Sequence, residues 1–184
     1  MATAAAPGLT AEQFGERPDP GYPEELVRGR VVRMPPPNRR HGQVCSRADR
    51  IIGGYVDEHD LGHVLSNDSG VITGRDPDTV RGADVAYYSF ARLPRGPLPQ
   101  SYGPEAPELV VEVLSPGDRW PEVLEKLAEY LRAGVVVVLV LDPETRAAQL
   151  YRADQPPRTL QAEDELTLPD VLGDFRAAVA RFFD

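Results

Sequence analysis

The stretch from Leu109 to Leu141 constrains the fold most. Leu109-Val-Val-Glu-Val-Leu114 is an apolar run of strand length, and Val135 to Leu141 is seven consecutive apolar residues. Between them Trp120, Val123, Leu124, Leu127, Tyr130 and Leu131 recur at steps of three and four, so they form one stripe along a helix. Ser115-Pro-Gly-Asp118 ends the first strand and offers a cap to the helix, and Gly134 is placed to close it. A strand, a helix and a second strand in this order imply a parallel pair joined by a right-handed crossover. The second strand is apolar at every position, which requires cover on both faces.

The remaining pattern adds strands and helices around that unit. Thr10-Ala-Glu-Gln-Phe14 starts like a capping box and predicts a short helix. Leu26-Val27 and Val31-Val32 flank Arg28-Gly29-Arg30 as two short strands about a turn, and Met34-Pro-Pro-Pro37 is an extended stop. From His41 to His59 the apolar positions Val44, Ala48, Ile51, Ile52, Tyr55 and Val56 predict an amphipathic helix, with a bend expected at Gly53-Gly54. Short strands follow at His63–Leu65, Gly70–Thr73 and Val80–Tyr88, the last two joined by the turn Gly74–Thr79. Leu93 to Pro107 is a Pro/Gly-rich surface loop. Outer strands are expected at Ala147–Arg152 and Thr159–Ala162, and a closing helix at Asp174–Phe183. The sum is an α/β chain with a mixed β-sheet flanked by helices. We expect a tail over residues 1–10 and a single domain over 11–184, since no internal repeat or long linker interrupts the pattern.

Three charged residues break the apolar pattern. Asp84 lies in Val80-Arg-Gly-Ala-Asp-Val-Ala-Tyr-Tyr88, Glu112 in the strand that opens the crossover, and Lys126 on the helix that follows. A charge within a buried strand is costly unless something pairs with it. Two converging strand carboxylates suit a divalent metal, and a nearby lysine suits a phosphate. That is the outline of a metal-dependent nuclease. The structural alternative has Asp84 beginning a turn or pairing with Arg81 or Arg92, and Lys126 as an exposed helix residue paired with Glu122 or Glu129, a contact worth about 0.3–0.5 kcal/mol.

Composition limits the other classes. The formal net charge is −9, which opposes a polyanionic partner, although Arg28, Arg30 and Arg33, then Arg39, Arg40, Arg47 and Arg50, cluster locally. No apolar run reaches the roughly 18–20 residues that span a bilayer, so no membrane role is expected. The first residues lack the pattern of a signal peptide. The lone Cys45 excludes an internal disulfide and fits a reducing, cytoplasmic setting; it reads as a packing residue. His41, His59 and His63 show no metal-ligand spacing with one another or with Cys45; His41 reads as a helix-start residue near the substrate, the others as surface. Ser115 lacks partners for a Ser-His-Asp hydrolase.

The order Tyr22-x-x-Glu25-Leu-Val-x-Gly29, Met34-Pro-Pro-Pro37, His41, Asp84, Val111-Glu-Val-Leu-Ser-Pro116, Lys126, Tyr130, Ala133-Gly-Val135 and Leu141-Asp-Pro143 resembles the Uma-type family of endonucleases, within the PD-(D/E)XK nuclease superfamily. The likeness runs from about Thr10 to Phe183. It implies a restriction-endonuclease-like fold and a metal-dependent endonuclease hydrolysing DNA, RNA not being excluded, with Mg2+ (Mn2+ as substitute) as cofactor. By position it implies that Asp84 and Glu112 hold the metal, that Glu25 adds a third carboxylate, and that Asp84, Glu112 and Lys126 are catalytic. Two departures stand out. Ala83 replaces the proline of the superfamily motif, and Leu114 stands where its lysine usually does, a role the resemblance transfers to Lys126. Val136-Val-Val-Leu139 lacks an aromatic residue common in the family, which reads as a change in the core. A homodimer is expected, because two strands need two sites. The alternative function is a nuclease-fold binding module with weak or no cleavage, to which the acidic balance points.

Overall fold

The computed structural model describes residues 8–184; most of the expected tail falls on residues 1–7, outside the described residues. Leu9 and Thr10 are already engaged. The Leu9 N–H donates to the Gly29 carbonyl at 2.9 Å, and Thr10 caps helix α1 (Ala11–Gly15) through the capping box.

Strands β1 (Glu24–Val27) and β2 (Arg30–Arg33) form a hairpin whose turn has positive φ at Arg28 and Gly29. Helix α2 (Arg39–Glu58) follows, capped by Asn38, whose Oδ1 accepts from the His41 N–H at 2.9 Å. It buries Val44, Ala48, Ile52 and Val56 at steps of four and runs unbroken through Gly53-Gly54, where a bend was expected. Burial of that stripe, at about 1.5–3 kcal/mol for each of its larger side chains, outweighs the roughly 1 kcal/mol that each glycine costs.

The expected strands at 63–65 and 70–73 are one long strand, β3 (Gly62–Gly74), which hairpins onto β4 (Thr79–Ser89). The pairing shifts register between Ser66 and Ser69, so Asn67 and Asp68, both at positive φ, lie opposite Asp84 alone. This is a β-bulge, a device that re-aims side chains. Ala83 and Ala86 pack on one face of the sheet and Val85 on the other, so the alternation breaks at Asp84.

Strand β5 (Leu109–Val113), helix α3 (Trp120–Arg132) and strand β6 (Val137–Asp142) make the expected crossover, with β5 and β6 parallel. The cap expected from Ser115–Asp118 is a correction: α3 starts after Arg119 without a side-chain cap, and Asp118 instead accepts from the Ser115 N–H at 2.8 Å. Pro121 supplies a fixed φ in the first turn. Strands β7 (Ala147–Tyr151) and β8 (Arg158–Leu160) complete an eight-stranded sheet in the order β2-β1-β4-β5-β6-β7-β8, with β3 on β4. The sheet is mostly antiparallel and flanked by helices, α2 on one face and α3 on the other.

The C-terminal segment departs from expectation. The helix predicted for Asp174–Phe183 is replaced by strand β10 (Arg176–Ala178), paired with β9 (Glu165–Thr167), and a 3-10 turn over Val179–Phe182; a short helix α4 (Pro169–Leu172) precedes them. Phe175, Ala177 and Val179 are buried while Arg176 and Ala178 are exposed, so period two prevails over the helical spacing of Phe175, Val179 and Phe182. These residues cover the α2 face of the sheet.

Candidate functional site

Strand β4 is where the sheet forks. β3 occupies one edge of β4 both at Val80 and at Val85–Tyr87, so β1, which pairs at Val80, and β5, which pairs at Val85–Tyr87, share the other edge. Between those two pairings, Arg81 to Asp84 have no strand on that edge. Backbone groups in such a gap need other partners. The Gly82 N–H donates to Glu25 Oε1 at 3.1 Å, and the Gly82 carbonyl accepts from Lys126 Nζ at 2.9 Å and from Tyr130 Oη at 3.2 Å. Gly82 also sits close to the bulge: a Cβ there would lie 3.0 Å from the Asp68 Cβ and 3.1 Å from its carbonyl oxygen, so a larger residue would press on Asp68.

Glu112, on β5, faces α3. Lys126 Nζ donates to its Oε2 at 2.8 Å, and Tyr130 Oη donates to its Oε1 at 2.8 Å. Lys126 also lies 3.4 Å from Glu25 Oε1. Lys126 and Tyr130 are one turn apart on α3, so both reach the same carboxylate. Burial pushes Glu112 up to about 7, with the Asp84 charge adding to it, against the pull of Lys126. For Lys126, burial favours the neutral amine, but Glu112 and Glu25 outweigh it and hold the ammonium firmly protonated. Behind this pair, Arg81 bridges Glu25 (2.8 Å) and Glu129 (2.6 and 3.2 Å), all three enclosed. Burial opposes ionisation of Glu25, yet Lys126 and Arg81 bring its carboxyl below the ordinary range.

Asp84 is turned towards α2. Its Oδ2 accepts the Val113 N–H at 2.7 Å and lies 3.4 Å from His41 Nε2. Burial raises the Asp84 carboxyl, but the hydrogen bond and charge of His41 and the Val113 N–H outweigh it, leaving it below the usual range. Cys45, one turn after His41, places its Sγ 3.3 Å from His41 Nδ1. Neither structural alternative occurs: Arg81 serves Glu25 and Glu129, Arg92 serves Glu108 at 3.2 Å, and Lys126 binds Glu112 rather than Glu122 or Glu129.

Glu25, Asp68, Asp84, Glu112 and Lys126 line one cavity of about 430 Å³, with His41 at its wall and Met34-Pro-Pro-Pro37 along its rim. The fold thus brings together every residue singled out from the sequence: Asp84, Glu112, Lys126 and Glu25. With Glu24 and Asp118, six carboxylates line the cavity beside one ammonium, and carboxylate oxygens suit a hard divalent cation. The model of the Uma2 family, described as "Putative restriction endonuclease", matches residues 11–180.

The chain belongs to the Uma2 family.

Among solved structures, it is similar to "a putative nuclease belonging to DUF820" from Anabaena variabilis, with a TM-score of 0.83 at 19% identity over 95% of this chain and 97% of the other. At that identity the likeness shows the fold alone. No curated protein matches.

Three features of this Uma2 chain escaped the sequence reading. Asp68 enters the site through the bulge, and burial and the Asp84 charge raise its carboxyl. Tyr130 stood in the apolar stripe and in the family pattern, neither of which reveals that its hydroxyl holds Glu112. His41 was expected near the substrate and Cys45 in packing; that both approach Asp84, which depends on the break in β4, was not. The acidic total also conceals a basic groove. Arg47, Arg50, Arg176 and Arg181, from α2 and the C-terminal segment, line one depression with Glu58 and Asp184; Arg176 pairs with Glu165, and Arg47, Arg50 and Arg181 make no ion pair among the described residues. Among the described residues no helix is long and apolar enough to cross a membrane.

Proposed function

We propose that this protein is a metal-dependent endonuclease that hydrolyses DNA phosphodiester bonds at the β4 fork. The observation that carries the reading is the meeting of Asp84, Glu112 and Glu25 around Lys126 in one cavity. Asp84, Glu112 and Glu25 are the residues that would hold Mg2+, or Mn2+ in its place. When bound, that ion supplies charge neutralisation at the phosphate and a more acidic water.

The chain's own groups do the rest. Glu112 and Glu25 hold Lys126 protonated in the metal-free protein, which suits it to act as a cation at a phosphoryl oxygen where charge develops. A phosphate entering the cavity would compete with Glu112 and Glu25 for that ammonium, which would leave both carboxylates free to hold an ion. Tyr130 and the Gly82 carbonyl keep Glu112 and Lys126 aligned. Trp120, 44% exposed, lines an adjoining cavity of about 360 Å³ and offers its face to a base beside the scissile phosphate. The arginine groove answers the objection from net charge, since phosphates are met by local rather than total charge. A homodimer belongs to the proposal as the arrangement that cuts both strands, and light scattering at micromolar concentration tests it.

The deciding experiment incubates supercoiled plasmid with Mg2+ or Mn2+ and the wild-type, Asp84→Ala and Lys126→Ala proteins. We expect nicking or linearisation that requires the metal and disappears in both variants. Folded wild-type protein that leaves plasmid, linear, single-stranded and RNA substrates intact would replace this reading with that of a binding module.

A further inference from the structure

Asp84 reaches the cavity with one oxygen already engaged. Its Oδ2 accepts the Val113 N–H at 2.7 Å and faces His41 Nε2 at 3.4 Å, while its Oδ1 accepts no hydrogen bond among the described residues. His41 has a second neighbour. Its Nδ1 lies 3.3 Å from Cys45 Sγ, one turn further along α2. The three side chains therefore form one relay, in which each ring nitrogen of His41 faces a different partner.

The order of the relay decides where the protons sit. Burial pushes the Cys45 thiol up, and the Asp84 charge adds to it, so the sulfur keeps its proton. A neutral imidazole carries one N–H, whose position is set by what the other nitrogen meets. The Cys45 S–H donates to Nδ1, which leaves the ring proton on Nε2, where it points at Asp84. A protonated ring carries both protons and donates from Nε2 as well. In either state Asp84 Oδ2 receives an N–H from His41. The 3.4 Å separation is a few tenths of an ångström beyond an ordinary N–H···O bond, so a small rotation of the ring closes it.

Helix α2 holds the donor in place. Asn38 accepts the His41 N–H at 2.9 Å, and the buried Val44 and Ala48 pin the turn that carries His41 and Cys45. His41 is the only ion-pair partner of Asp84 among the described residues. An arginine or lysine in its place would put a permanent cation on the carboxylate and oppose a divalent ion; an imidazole supplies the donor without that fixed charge.

We propose that His41 is a positioning residue for Asp84: oriented by Cys45, it anchors Oδ2 and leaves Oδ1 to hold a divalent ion. This rests on the reading of Asp84 as a metal ligand given above. Removing an outer partner of this kind costs a ligand set about 10–100-fold in metal affinity.

The probe is Mn2+, titrated into the full chain without nucleic acid and followed by the paramagnetic resonance signal of the free ion. We expect His41→Leu, which keeps the bulk and removes the donor, to bind Mn2+ about 10–100-fold more weakly than the wild type. His41→Gln places an amide N–H where Nε2 stands and recovers most of that loss, and Cys45→Val gives a smaller loss in the same direction. Circular dichroism confirms that each variant is folded. Nitrogen-15 NMR of the neutral His41 ring in the metal-free wild type shows the proton on Nε2; in Cys45→Val the two tautomers mix. Wild-type protein that binds no Mn2+, equal affinity in His41→Leu, a His41→Gln no better than His41→Leu, or a neutral ring protonated at Nδ1 overturns the proposal. The expected Mn2+ series with no nucleic acid cleaved would remove the endonuclease reading and leave the role of His41 standing. Metal-dependent cleavage with Mn2+ affinity indifferent to His41→Leu would do the reverse.

Discussion

Lys126 Nζ lies 2.8 Å from Glu112 Oε2, so the helix after the crossover returns a cation to the acid of the strand before it. Replacing Lys126 by alanine removes the one ammonium that faces the cavity carboxylates. The expected loss is about 10²–10³-fold in cleavage rate, the size associated with removing a preorganised transition-state donor. Single-turnover kinetics on a plasmid substrate, with circular dichroism as control, measures it.

Tyr130→Phe deletes the hydroxyl that serves both Glu112 and the Gly82 carbonyl. We expect a stability loss of about 1 kcal/mol by urea denaturation. The ionised Glu112 loses a donor, so the pH midpoint of cleavage moves upward. A midpoint unchanged or lowered would separate Tyr130 from Glu112 in function.

Arg81 holds two enclosed carboxylates. Arg81→Met leaves Glu129 without the guanidinium that pairs it and Glu25 with only Lys126 and the Gly82 N–H, and we expect about 3–5 kcal/mol of destabilisation. Combining it with Glu25→Gln and Glu129→Leu removes the orphaned charges and recovers most of that loss. Thermal unfolding of the single and triple variants provides the comparison.

The pH dependence has a defined sign. Glu112 titrates at about 7 in the fold against an ordinary 4.5. In metal-free protein its ionisation therefore lowers stability as pH rises from 4.5 towards 7. On the proposed function Mg2+ binds the ionised form, so we expect the rise in melting temperature on adding Mg2+ to grow through this same interval and then level. Calorimetric scans at several pH values, with Glu112→Gln as reference, test this; a magnesium shift that is flat with pH would oppose it. Glu25 acts in the other direction. Its lowered carboxyl contributes stability above the ordinary range, and that contribution is lost as pH falls through the depressed value.

The arginine groove predicts a salt signature. Arg47→Ala, Arg50→Ala and Arg181→Ala combined should reduce the slope of log affinity against log salt by about 2–3 for duplex DNA, near 0.9 for each phosphate left without its arginine. Fluorescence anisotropy across a salt series reads the slope. An unchanged slope places the DNA elsewhere on the surface.

Periodicity carried much of the architecture. Helix α2 and the β5-α3-β6 unit have long repeats that only one element type satisfies, and they stand close to where their sequences place them. The segment after Asp174 failed because Phe175 and Val179 fit both periods, Ala177 completing period two and Phe182 the helical spacing, and pairing with Glu165–Thr167 decided between them. In the site, Asp84, Glu112 and Lys126 were legible because charges in apolar surroundings demand an explanation. Asp68 was not, because nothing local marks which polar residue of a strand a register shift will turn inward. Tyr130 illustrates the opposite difficulty: its ring belongs to the core and its hydroxyl to the site, and the apolar stripe reveals only the first.

The fork at Gly82 has an evolutionary consequence. Its N–H and carbonyl are completed by Glu25, Lys126 and Tyr130, the side chains that also shape the cavity. A lineage that loses the reaction cannot discard these groups freely, since each deletion exposes a backbone dipole inside the protein. On the proposed function, loss of activity at this fold is therefore expected to begin at the arginine groove, because Asp84 too satisfies a buried backbone group, the Val113 N–H.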